Sequence, residues 1–169
     1  LLALPAGEYQ FQVAPANTTN FVIDRTLPLE AGQFYDAIAI GSVAGMNLDL
    51  FAAAGDRRPV ATAAKVRVIH GSASAGEVDV YVAPIGTMSV AGLDPVEGLV
   101  GIGLGADSGF LELAAGQYQV VVAISGSETV AISAGIGIEA GGVYTVIARD
   151  PVAPSMEFGV LSIDDDPTP

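Results

Sequence analysis

The sequence predicts an all-β chain of tandem Ig-like antiparallel β-sandwich modules, of which the N-terminal one is incomplete. Three observations carry that expectation. Apolar and polar residues alternate with a period of two in one segment after another. Gly (21) and Pro (10) are scattered through all 169 residues, which suits short strands joined by turns and suits long helices badly. The chain also repeats itself at a fixed offset, from Gly7 to Gly116, or 116 − 7 = 109 residues.

Taken in order, "YQFQV" (9–13) places Tyr9, Phe11 and Val13 on one face and Gln10 and Gln12 on the other. "MNLDL" (46–50) reads as a strand with Met46, Leu48 and Leu50 inward. "AKVRVIHG" (64–71) puts Val66, Val68 and His70 on an inner face. "EVDVYVAP" (77–84) sets Val78, Val80 and Val82 against Glu77, Asp79 and Tyr81. A Gly-rich excursion follows, to about residue 110, whose apolar members Met88, Leu93, Leu99, Ile102 and Leu104 are expected to fold over the sandwich or meet a partner. "QVVVAI" and "YTVIA" are apolar on both faces and read as central or interface strands.

Aligned at the offset, Leu2–Val43 and Leu111–Val152 agree at 16 of 42 positions without a gap, enough to identify two copies of one module. One inserted residue then brings "MNLDLF" onto "MEFGVL". The division is drawn at 1–61 for the partial copy and 62–169 for the complete one. Copy two carries 111 − 64 = 47 residues in front of its aligned part that copy one lacks. The matching strands lie upstream or come from another chain, and the first is the favoured expectation. The start at Leu1 reads as a processed or excised product.

The repeat contains one entrance four times: Ala-Gly followed by Tyr, at Gly7 and Tyr9, Gly32 and Tyr35, Gly116 and Tyr118, and Gly141 and Tyr144. Gly supplies a tightly turned or positive-φ backbone before a strand. A Tyr just inside the strand buries its ring and returns its hydroxyl to a nearby backbone group, as in the tyrosine corner of Ig-like sandwiches. These eight residues are read as structural.

Composition excludes several functions. The net charge of −13, with Lys65 the single lysine, repels phosphate backbones and disfavours nucleic acid. Without cysteine there is neither a disulfide nor thiolate chemistry. No stretch offers about 20 uninterrupted apolar residues, so no membrane span is expected. His70 is the single histidine and has no nucleophile elbow beside it, so it is read as packed, bonded to backbone or Asp79. Asp164, Asp165 and Asp166 form the one calcium candidate, set against the reading of a solvated tail. No other cofactor is expected.

"AKVRVIHGSASAGEVDVYVAP" (64–84), with "LELAAGQYQVVVA" and "IEAGGVYTVIARD" after it, resembles the bacterial and archaeal family of domain of unknown function 4397. The resemblance rests on Val66, Arg67, Val68, His70, Ser72, Val78, Asp79, Val80, Tyr81 and Val82, and covers nearly all of 64–163. The Pro usual after the Ser is absent from "GSASAG". The resemblance implies a secreted or cell-surface β-sandwich, often in tandem, with no established reaction. The leading expectation is a non-enzymatic extracellular structural or adhesive module making protein–protein contacts, self-assembling into a fibre by strand complementation between copies. The alternative is glycan binding, which the lack of Trp disfavours.

Overall fold

The computed structural model describes residues 2–42, 45–151 and 158–164, with backbone alone at Asp164. Among these residues the chain is all-β: eleven strands and no helix. It divides into two units, Leu1–Asp56 and Arg57–Pro169. The boundary lies at Asp56–Arg57, where the sequence alone draws it at 61–62.

The first unit is two hairpins, each a two-stranded sheet. Strand β1 (Gly7–Val13) pairs antiparallel with β2 (Ile23–Leu29), and β3 (Phe34–Ile40) with β4 (Asp49–Gly55). Ile23, Ile40, Leu50 and Ala53 are its buried apolar residues. Arg25 of β2 holds Asp49 of β4 through two bonds, at 2.8 and 2.6 Å, and so ties one hairpin to the other. Tyr9, Phe11 and Val13 are half-buried while Gln10 and Gln12 are exposed, following the alternation. Both Gln side chains donate to Asp24, at 2.8 and 3.1 Å.

The 46–50 strand is not formed as the pattern predicts. Residues 45 and 46 make a turn, Met46 takes φ 52° with 93% of its surface exposed, and β4 begins at Asp49. Asn47 decides this locally, because its side-chain Oδ1 accepts from Ser42 N at 2.9 Å and its N–H donates to Ser42 O at 3.3 Å. Side-chain capture of a backbone amide competes with a ladder.

The second unit is a sandwich. One sheet runs β11 (Gly159–Asp164), β10 (Val143–Arg149), β5 (Ala64–His70), β7 (Asp107–Leu113). The other runs β6 (Val78–Pro84), β8 (Gly116–Ile124), β9 (Val130–Ile138). Their inner faces meet in one core, including Val66, Val68 and Val146 from the first and Val80, Val120, Val122 and Ile132 from the second. Each such side chain contributes roughly 1.5–3 kcal/mol by leaving water. The doubly apolar segments are central strands: β8 lies between β6 and β9, and β10 between β11 and β5.

Two features depart from a plain antiparallel sandwich. β5 and β10 run parallel, Val66 beside Tyr144 and Val68 beside Val146. A parallel neighbour needs a long crossover, and the four strands of chain between them supply it. Between Arg67 and Ile69 the β5–β7 register slips, and the Val68 amide donates to Ser108 Oγ at 2.8 Å.

The excursion after β6 does fold down, with a more specific result than apolar cover. Val78 and Ile102 exchange both backbone bonds, Val80 N donates to Leu99 O, and Val96 N donates to Val80 O. Leu99 and Ile102 enter the main core, while Val90 packs with Tyr81, Val121 and Ala123 on the outer face. Asp79 and Tyr81, expected on a wet face, are therefore buried. Met88 and Leu93 stay exposed.

The two units repeat in pairing register as well as in sequence. Tyr9 faces Leu27 and Tyr118 faces Ile136, each partner displaced by 109. Tyr35 faces Ala54 and Tyr144 faces Asp164, displaced by 109 and 110, as the single inserted residue requires.

Candidate functional site

The polar residues singled out by the sequence meet where β5 ends, β6 begins and β10 ends. The parallel pairing sets His70 beside Ala148, and Gly71 N donates to Ala148 O at 2.9 Å. The His70 ring is buried, and its Nε2 donates to Gly76 O at 2.8 Å, which closes the loop from 71 to 76. The other ring nitrogen, Nδ1, has no hydrogen-bond partner among the described residues. Asp79 is not its partner.

Asp79 serves two other turns. Its Oδ1 accepts from Gly101 N at 2.7 Å and its Oδ2 from Gly126 N at 3.3 Å. Burial pushes this carboxyl up, but those two amides and the Ser125 side chain outweigh burial and hold it below its ordinary range. Burial pushes the nearby Tyr81 phenol up, and the charges of Asp79, Glu128 and Asp94 add to that.

Ser72, also buried, donates its hydroxyl to Asp150, just after β10. The same carboxylate accepts from Ser74 N at 3.0 Å, Ser74 Oγ at 2.8 Å and Ala73 N at 3.3 Å. Burial opposes ionisation there too, and the donors from Ser72, Ser74 and Ala73 win, keeping Asp150 below the usual carboxylate value. The Pro missing from "GSASAG" is thus replaced as a turn-former by one carboxylate gathering three successive residues. Sequence reasoning missed Asp150. Its one signal is the repeat column in which copy one carries Gly41 instead.

The repeated tyrosines form two kinds of corner. Tyr9 donates to Pro5 O at 2.8 Å and Tyr118 to Ala114 O at 3.0 Å. At the other entrance the hydroxyl accepts instead, from Glu30 N to Tyr35 at 3.1 Å and from Glu139 N to Tyr144 at 3.2 Å. Gly32 and Gly141 have φ of 77° and 86°, as a left-handed turn requires. Gly7 and Gly116 do not share that role. They are the first residues of β1 and β8, and a Cβ there would lie at ordinary contact distance, 3.7 and 3.4 Å, from the ring two residues on. The glycine a ring does demand is Gly142, where a Cβ would come within 2.5 Å of Tyr144.

With this geometry in place the chain can be compared with known proteins. Residues 1–81 match the model of the family described as Domain of unknown function (DUF4397). These residues belong to the DUF4397 family. No curated protein matches the chain. The DUF4397 match runs through the first unit, across Asp56–Arg57, through β5 and into β6, ending at Tyr81. It therefore takes in all five motif residues, Arg67, His70, Ser72, Asp79 and Tyr81, but covers a different span from the 64–163 on which the motif resemblance rests.

Arg67 of the DUF4397 motif is fully buried on the face of its sheet opposite the core. Its guanidinium donates to Thr145 Oγ1 at 3.1 Å, lies 4.0 Å from Asp107 and stacks 4.6 Å from the centre of the Phe110 ring. Neighbours on β7 and β10 thus hold it from both sides. Asp165, Asp166 and the Asp164 side chain, the calcium candidates, lie outside the described residues. Among the described residues no group of three or more His, Asp or Glu is placed to hold a metal, and no helix is long and apolar enough to cross a membrane. Chemically, His70, Ser72 and Asp79 hold loops, through bonds to Gly76 O, to Asp150 and to the Gly101 and Gly126 amides, while Arg67 ties its strand to β7 and β10.

Proposed function

We propose that this chain is a non-enzymatic structural and adhesive module of the cell exterior, whose units join their neighbours by completing one another's sheets, up to a fibre. The observation behind this reading is the unequal completeness of two units built to one register: β8 has strand neighbours on both sides, while its counterpart β1 pairs with β2 alone among the described residues. An incomplete sheet gains ladder bonds and apolar cover when a strand adds to it. The use of His70, Ser72, Asp79 and Asp150 as loop holders supports a scaffold over a reaction centre. The acidic, lysine-poor composition supports an exterior location.

Sedimentation velocity of the 169-residue chain over a hundredfold concentration range tests the assembly. Species larger than the monomer should grow with concentration. Monomer throughout removes the assembly, and retention on a glycan array in its place would move the reading to sugar binding.

A further inference from the structure

We propose that β9 is a self-pairing edge: two copies of this chain join antiparallel along it, across a two-fold axis at Gly135. The site lies within the complete unit and goes beyond the sheet-completion reading, because an edge that meets its own copy closes at two molecules.

β9 is an edge strand without the usual protection. Its sheet runs β6-β8-β9, so β8 covers one side and no strand covers the other among the described residues. β11 lies against β9 across the sandwich but bonds to β10. Two other edges are guarded. The excursion closes β6, and β7 carries Asp107, Glu112 and a register slip against β5. β9 runs for nine residues, VAISAGIGI, with neither charge nor proline. The repeat supplies a contrast: where β9 has Ser133 and Gly137, β2 has Asp24 and Pro28, both residues that blunt an edge. β2 also lacks an outer strand among the described residues, although a whole unit follows it in the chain, so the open side belongs to the module.

The ladder settles which groups point out. Val78 exchanges both backbone bonds with Ile102, and Val80 bonds to Leu99 and Val96, so these residues of β6 face away from β8. Antiparallel alternation then turns their partners Ile124 and Val122 toward β9, in line with the bond from Ile124 N to Thr129 O. Continued along β8, it points Ala134 and Ile136 at their own partners Val120 and Tyr118. Ser133, Gly135 and Gly137, all exposed, keep their N–H and C=O groups on the free side.

Those three residues fix the register. A two-fold centred on Gly135 pairs Gly135 with itself and Ser133 with Gly137, so each finds partners for both groups. The same register sets Ile136 beside Ala134 and Ile138 beside Ile132 on the core side. Ile85 completes the contact. A Cβ on Gly135 would come within 2.9 Å of its Cδ1, yet Ile85 is 54% exposed. Bonded antiparallel partners lie about 5.5 Å apart, so the two Ile85 side chains meet over the axis and cover each other.

The test is sedimentation velocity of the whole chain over a hundredfold concentration range, with hydrogen exchange on the same samples. Salt at about 0.15 M screens the repulsion between two acidic copies beyond about 8 Å. The expected result is a dimer with at least tenfold slower exchange at Ser133, Gly135 and Gly137, and no change at Ala134 and Ile136. Ile85→Glu sets two like charges at the axis, and Ser133→Asp with Gly137→Pro copies β2. Each should weaken the dimer at least tenfold, while Phe21→Glu, at an exposed apolar residue of the first unit, should not. The exchange pattern is read on the unsubstituted chain and so does not depend on how the variants fold. Monomer throughout, or slowing at the even-numbered residues instead, would overturn the proposal. Association that survives both β9 variants unchanged also overturns it and leaves the sheet-completion reading standing. A dimer that both variants remove, with no larger species, keeps β9 pairing and removes the fibre.

Discussion

β1 and β8 are near-copies, share a register and enter through the same tyrosine corner, yet one is half wet and the other is the middle of a core. The same contrast separates β3 from β10. Val143, Val146 and Ala148 are buried, whereas their counterparts Phe34, Ala37 and Ala39 are exposed. Local sequence therefore sets the hairpins and their register. The strands alongside set how much of each hairpin leaves water. Turn chemistry and alternation act over a few residues, while burial depends on what the rest of the chain delivers.

Paired substitutions sharpen this contrast. The largest difference is expected from Ile136→Ala against Leu27→Ala, at equivalent positions. Ile136 is buried in the core, and its truncation should cost about 2–5 kcal/mol. Leu27 is half-buried, and the same change should cost about 1 kcal/mol. Hydrogen exchange resolved by unit reads both. Equal losses would mean the first unit has a core as complete as the second.

A smaller effect is expected at Asp150. Asp150→Asn removes charge-assisted bonds to Ser72, Ala73 and Ser74 and should cost about 1.5–3 kcal/mol, with faster exchange at Ala73 and Ser74. The sign of its pH dependence follows from a folded-state pKa below the unfolded value of about 3.9. Its contribution is full above about pH 5 and is lost as pH falls through the lower folded value, as it is for Asp79. The second unit should thus show a steep acid limb that Asp150→Asn flattens. The first should show a shallow one, because Asp49, also held low by Arg25, is exposed and screened. A limb unchanged by the substitution would contradict the assignment.

The smallest effect has the opposite sign. Met46 is a non-glycine at φ 52° with its side chain in solvent. Met46→Gly should stabilise the first unit by about 0.5–1 kcal/mol in denaturant titration, relief of left-handed strain exceeding the entropy of glycine.

Much of the fold was legible in the sequence. The alternation of Tyr9, Phe11 and Val13, the corner tyrosines and the duplication are local or self-referential signals, and each appears in the strands. The parallel pairing of β5 with β10 was not legible, because a ladder between residues 66 and 144 leaves no mark in either segment. Asp79 and Tyr81 read as wet because alternation assumes one solvated face, and the excursion that covers them lies outside the pattern. Asp150 stands 78 residues from Ser72, beyond any spacing motif. Met46 shows the converse failure, a good period of two overruled by Asn47 capturing the turn.

The excursion between β6 and β7 has one more consequence. By pairing its own backbone with Val78 and Val80 it closes the free side of β6 against any foreign chain. Shortening that segment would uncover the backbone donors and acceptors of Val78 and Val80 on that edge, so the residues between Pro84 and Asp107 act as the cover of a strand that would otherwise be open to pairing.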